Sequence, residues 1–359
     1  RADVLGGRFF SETVTIVSGG TNIFGVETGG GVLTVALDKG GGTPMEGVST
    51  YLFSSQGAYL GLSASTGSAG QADFAVPAGS YKIRADYLGN QFWTTEVSVN
   101  ADLSVPLSIP HQDVTVIVRG DHNGDVVLKE GLKVYLFTPS GAYMGRNRTT
   151  DAQGEVIFSL PAGEYKARVD CLSQQFWSDG FVQADRTVTI PECEARITVT
   201  RLNNPLSQVP VYVFNAAGVY LGISGSTAAS GEASFRLPAG DYNFRADYLG
   251  NRYFSGNTTL IADQVNPVTV STGGGNFTLT VQKEAGEPLA GVSGYLFSAD
   301  GAYLGHQTAT SDQGEASFEL ADGTYKIRVD YLGYPFWTEP FTIPAASVLS
   351  LDIPHQDTV

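Results

Sequence analysis

The chain has 359 residues, with 36 Asp and Glu against 21 Lys and Arg, a formal net charge of -15. That balance repels nucleic acid and anionic membranes and sets both aside as partners. No apolar run approaches the roughly 18 residues that cross a bilayer, and 42% hydrophobic against 16% charged residues, with 44 glycines, reads as an exported β-rich protein rather than a cytosolic enzyme.

In chain order, residues 1–30 match only the last third of the later segment 195–274 and read as the C-terminal part of a truncated module. Period-two alternation then begins, over Val32 to Leu37, Val48 to Phe53, Ala72 to Val76, Tyr81 to Tyr87 and Leu103 to Ile109. Tyr81, Ile83, Ala85 and Tyr87 share one face of their strand, and Lys82, Arg84 and Asp86 share the other. Gly57 and its counterparts Gly141, Gly218 and Gly301 are expected to supply positive φ in the turn after the Tyr-x-Phe strand. The same is expected of Gly79, Gly163, Gly240 and Gly323 before the Arg-x-Asp strand. No segment carries a capped 3.6-residue period, so almost no helix is expected.

The whole order of motifs recurs from Tyr135, Tyr212 and Tyr295, which divides the chain into modules 31–112, 113–194, 195–274 and 275–356, with 357–359 opening another. The Arg of Arg-x-Asp falls at Arg1, Arg84, Arg168, Arg245 and Arg328. Its spacing repeats after 244 residues, as do Thr28-Gly29-Gly30-Gly31 and Pro110-His111-Gln112-Asp113, so three modules make one larger period. The glycine triplets read as hinges and Pro191-Glu192-Cys193-Glu194 as a linker. Both ends cut modules, so the chain reads as an excerpt of a longer polypeptide. The expected fold is all-β, a tandem array of antiparallel β-sandwiches of about 80 residues each.

Val134-Tyr135-Leu136-Phe137, Asp151-Ala152-Gln153-Gly154-Glu155, Phe158 and Leu160-Pro161-Ala162-Gly163-Glu164-Tyr165-Lys166 carry a resemblance to transthyretin-like carboxypeptidase regulatory-like domains, relatives of the B-type repeats of collagen adhesins. The resemblance covers all four whole modules and implies the sandwich fold, in proteins that serve as stalks, spacers, adhesin repeats or accessory domains. It also implies a test for a Lys-Asn crosslink. Lys39 and Lys283 end first strands, but Arg119 and Arg201 stand in the other modules and Leu103 to Ser108 lacks an Asn, so no crosslink is expected.

Candidate sites follow from residue chemistry. The pairs Arg84/Asp86, Arg168/Asp170, Arg245/Asp247 and Arg328/Asp330 lie on one strand face, as a contact between modules or subunits or as a solvated salt-bridged face. Tyr51, Tyr135, Tyr212 and Tyr295 mark aromatic strands that are either core or an interaction surface. Cys171 replaces a recurrent Tyr in the module that also holds Cys193, and a disulfide between them is expected, with two unrelated thiols as the alternative. Asp121, Asn123 and Asp125 space oxygen ligands as a calcium loop would, and also suit an ordinary hairpin turn. Asn147, Asn257 and Asn276 begin glycosylation sequons.

The four histidines form no cluster, and no nucleophile elbow, zinc spacing or phosphate loop appears in a credible context, so the chain is not read as an enzyme and no cofactor is expected beyond that calcium. The expected function is the structural repeat region of an extracellular fibre or cell-surface stalk that self-associates into filaments. Two other readings stand beside it: an adhesin or carbohydrate-binding array with glycan partners, and an accessory array on a secreted enzyme.

Overall fold

A computed structural model describes residues 1–284 and 286–355, and the expected start of a further module at 357–359 lies outside them. The described residues form strands, turns, bends and irregular segments, with no helix among them. They fall into two compact units: Arg1–Arg119 with Leu128–Thr189, and Gly120–Val127 with Ile190–Val359.

In the first unit, Gly31–Asp38 is the centre of a three-stranded sheet. It pairs antiparallel with Gln71–Val76 and parallel with Leu103–Ser108, Leu33 opposite Leu103 and Leu37 opposite Leu107. The facing sheet runs Tyr59–Ser65, Ser49–Ser54, Gly79–Tyr87, Asn90–Trp93, with Val97–Val99 against the start of Gly79–Tyr87. Alternation puts Leu33, Val35, Leu37, Leu52, Phe74 and Ile83 into one closed core drawn from residues 33–109. Each such side chain contributes about 1.5–3 kcal/mol by leaving water. The second unit holds the same arrangement over 275–353, with Gly275–Lys283 between Glu315–Leu320 and the parallel Val348–Ile353.

Two recurrent polar devices close each sandwich. Thr66 Oγ1 accepts from Val48 N and donates to Met45 O, and Thr150, Thr227 and Thr310 do the same in their own sandwiches. The buried Tyr81, Tyr165, Tyr242 and Tyr325 each donate a hydroxyl hydrogen bond to the carbonyl four residues earlier. Burial without these bonds would cost each hydroxyl ~1–3 kcal/mol.

Several expectations need correction. Pro191-Glu192-Cys193-Glu194 is no linker but the middle of one strand, Arg186–Arg201, in which Cys193 stands opposite Leu237 and Glu192 opposite Pro238. The glycine triplets are not hinges, because a Cβ on Gly30 would lie 2.1 Å from the Val76 carbonyl oxygen and one on Gly274 2.3 Å from that of Leu320. Gly57, Gly141, Gly218 and Gly301 do have positive φ, but Gly79 and Gly163 do not. Gly163 is required by close approach instead, since its Cβ would meet Asn90 Nδ2 at 2.5 Å.

Candidate interaction surfaces

Outside the core, the second sheet of each sandwich carries one polar-aromatic cluster. Strand pairing sets Arg84 opposite Tyr51 on one side and Trp93 on the other, so the three side chains share the outer face. Arg84 turns back along its own strand to Asp86, with Nε 2.7 Å and Nη2 2.9 Å from the carboxylate oxygens. Its guanidinium carbon lies 4.8 Å from the Tyr51 ring centre, 5.1 Å from Phe53 and 5.8 Å from Trp93.

The cluster recurs in every module. Arg168, Arg245 and Arg328 pair with Asp170, Asp247 and Asp330 over Tyr135, Tyr212 and Tyr295 at 4.9, 4.5 and 5.0 Å. Within the chain, the contacts these residues make are to their own sheet. Tyr51 is half-buried there, neither core nor an unpartnered tip. Beside it stand Tyr59 and Trp93, 50% and 42% exposed, and their counterparts Tyr143 with Trp177, Tyr220 with Phe254, and Tyr303 with Trp337. Each sheet thus presents an aromatic edge to solvent around a fixed cation.

Within each unit, contacts between one module and the next come from the turn that follows Arg-x-Asp. Leu88-Gly89 and Leu249-Gly250 are two-residue turns in which both residues have positive φ, 46° and 73° in the first and 47° and 74° in the second. Leucine is strained in that region. Burial offsets the strain, because Leu249 is 8% exposed and belongs to the core built from 277–353. Gly250 comes against Leu304 and Ser298, and Gly89 against Met144 and Thr138, the matching positions of the sandwich that follows it in the chain. Leu5, in the turn between Ala2–Val4 and Gly7–Phe9, likewise meets the core of 33–109.

Polar contacts fix these turns. Asn251 Nδ2 donates to Leu249 O at 3.0 Å and to the Tyr325 hydroxyl at 3.1 Å, and the Tyr253 hydroxyl donates to Asp322 O. Burial and the neighbouring Tyr325 push the Tyr253 hydroxyl far above its ordinary pKa. Gly274 N donates to Asp322 Oδ1 at 2.8 Å, and Arg201 pairs with Glu319. In the first unit Tyr87 takes a hydrogen bond from Arg146 at 3.3 Å and its ring lies 5.5 Å from that of His111. Motif reading missed the Tyr-Leu-Gly turn because it looked like any hairpin end. A bulky residue copied at the first position of a two-residue turn was the available signal.

The other candidates are separated. No disulfide joins Cys171 and Cys193: both are thiols, that of Cys193 buried and donating to Leu237 O at 3.4 Å. Burial, then the Glu192 carboxylate, pushes the Cys193 thiol up to about 11. Asp121 accepts from Gly124 N at 2.9 Å, Asn123 donates twice to Asp263, and Asp125 pairs with Arg236, which also holds the buried Glu192. These three side chains thus serve a hairpin with different partners, and among the described residues no group of three or more His, Cys, Asp or Glu is placed to hold a metal. Asn147, Asn257 and Asn276 are all exposed. Asn147 donates to the Tyr143 hydroxyl and Asn257 to Ala216 O.

No protein-family model matches the chain, and no curated protein matches it. Among solved structures it is similar to the Bacillus anthracis TIE protein, at 14% identity over 98% of this chain and 75% of that one, TM-score 0.25. It is also similar to the minor pilin GBS52 of Streptococcus agalactiae, at 15% identity over 45% and 94%, TM-score 0.29. Two B repeats of the collagen binding protein of Staphylococcus aureus match at 16% identity over 85% and 93%, TM-score 0.19. At these scores the likenesses bear on none of the residues described above.

Proposed function

We propose that the chain is the structural repeat region of an extracellular fibre or cell-surface stalk, built from the four whole sandwiches 31–112, 113–194, 195–274 and 275–356. One observation carries this reading: a strained leucine turn is set against the sandwich that follows it at Leu5, Leu88 and Leu249. Flexible tethering needs no such insertion, whereas a stiff array needs a side-chain contact at each joint. Self-association with other copies extends the same logic to a filament. Electron microscopy of the native material tests it: rods or fibres with a regular axial repeat support the proposal, and isolated flexible threads overturn it.

A second reading is favoured by the exposed edges of Tyr59 and Trp93 and their copies. Aromatic faces of this kind stack on sugar rings, and repetition would supply avidity. A glycan array probed with the whole chain discriminates, since absence of any saturable glycan removes this reading and leaves the first intact.

A further inference from the structure

A cavity of about 240 Å³ lies beside the Leu88 turn in the first unit, lined among others by Lys39, Arg146, Arg148, Ser159 and Tyr87. In a chain of net charge -15, three cations share this wall and no carboxylate lines it. Among the described residues none of the three has a carboxylate within ion-pair distance. Asp113, the cross-strand partner of Ser159, is exposed and outside the lining. The positive field of Lys39 and Arg146 is felt at His111, whose pKa burial lowers first and those two cations lower further.

The second unit supplies an internal comparison. Leu37 N donates to Gly70 O as Val199 N donates to Gly231 O, which makes Arg201 the counterpart of Lys39. Its cavity is lined by Arg201, Tyr248, His306, Thr308 and Glu319, and Glu319 pairs with Arg201. Ser159 occupies the place of Glu319, while Arg146 and Arg148 occupy those of His306 and Thr308. One cavity neutralises its cation internally; the other has lost the acid and gained two cations.

We propose that the Lys39/Arg146/Arg148 cavity binds a multiply charged phosphate-type oxyanion. Three cations on one wall exceed what a single carboxylate balances, and guanidinium forks match tetrahedral oxyanions. The Ser159 and Tyr87 hydroxyls add neutral hydrogen-bonding groups to the wall. The volume equals about eight waters at ~30 Å³ each, room for linked phosphates rather than one alone.

Titration calorimetry of inorganic triphosphate into the whole chain at low ionic strength tests this. One saturable site is expected, weakened at least about tenfold by Ser159→Glu and by Arg148→Thr. Lys326→Gln, a cation on another sheet, should leave it unchanged. All these positions lie outside the buried core, and thermal melts confirm that each variant folds. Binding of poly(glycerol phosphate) as well assigns a polymer-borne group, and binding of free phosphates alone assigns a small anion; both uphold the site. No saturable binding, equal weakening by Lys326→Gln, or tighter binding of polyglutamate than of triphosphate overturns it, whatever the fate of the fibre reading.

Discussion

Leu249 and Leu332 occupy the same position of the same turn, with φ 47° and 50°, yet one is 8% exposed and the other 76%. The backbone strain is equal, while Leu249 packs into the core of 277–353 and Leu332 packs into none among the described residues. Leu249→Ala is therefore expected to cost ~2–3 kcal/mol, toward the low end of buried Leu→Ala changes. Leu332→Ala should stay within about 0.5 kcal/mol of the parent chain. Urea melts of the two variants check this, and equal losses would deny that the turn holds the joint.

The guanidinium of Arg245 over Tyr212, paired with Asp247, combines a cation-π contact with a half-buried ion pair. Arg245→Ala is expected to cost ~1 kcal/mol. Arg245→Lys should recover only part of that, since an ammonium lacks the planar stacking surface. Denaturation midpoints of the three chains measure it, and full recovery by Lys would show that only the charge matters.

The chain purified without reductant should retain two titratable thiols. Cys193, buried and with its pKa raised to about 11, should resist iodoacetamide until the chain unfolds, while the half-buried Cys171 reacts first. Mass spectrometry before and after denaturation reads both. A mass two hydrogens lower would restore the disulfide.

His111 sits below the ordinary histidine value near 6.5 because burial disfavours its charge and Lys39 and Arg146 repel it, against the pull of the Ile109 carbonyl. The unfolded chain thus takes up this proton at higher pH than the folded one. The contribution is complete above about 6.5 and declines as pH falls through that value. His111→Gln should flatten the acid slope of thermal stability between neutral pH and 5, and an unchanged slope would rule the residue out as its source.

Legibility followed burial. Residues whose role is set by two-residue alternation, such as Leu33, Ile83 and Tyr81, could be placed from the sequence, because half-buried strands leave that imprint. The pairing of Arg84 with Asp86 could not, since a long side chain is free to choose among neighbours on its face. Cys193 was misplaced because Pro191 and Glu192 resemble a linker, although Pro191 fits a strand that needs only its carbonyl, here taking Ala239 N. The knob at Leu249 was hidden in a Leu-Gly pair whose left-handed backbone only coordinates reveal.

The parallel pairing of Gly31–Asp38 with Leu103–Ser108 has a mechanical meaning. A pull that enters at Gly31 and leaves at Ser108 is directed along both strands in opposite senses, so it loads every rung between them at once instead of peeling them one by one. Rupture then requires the whole ladder to slide together, which lets the sandwich carry tension without lengthening.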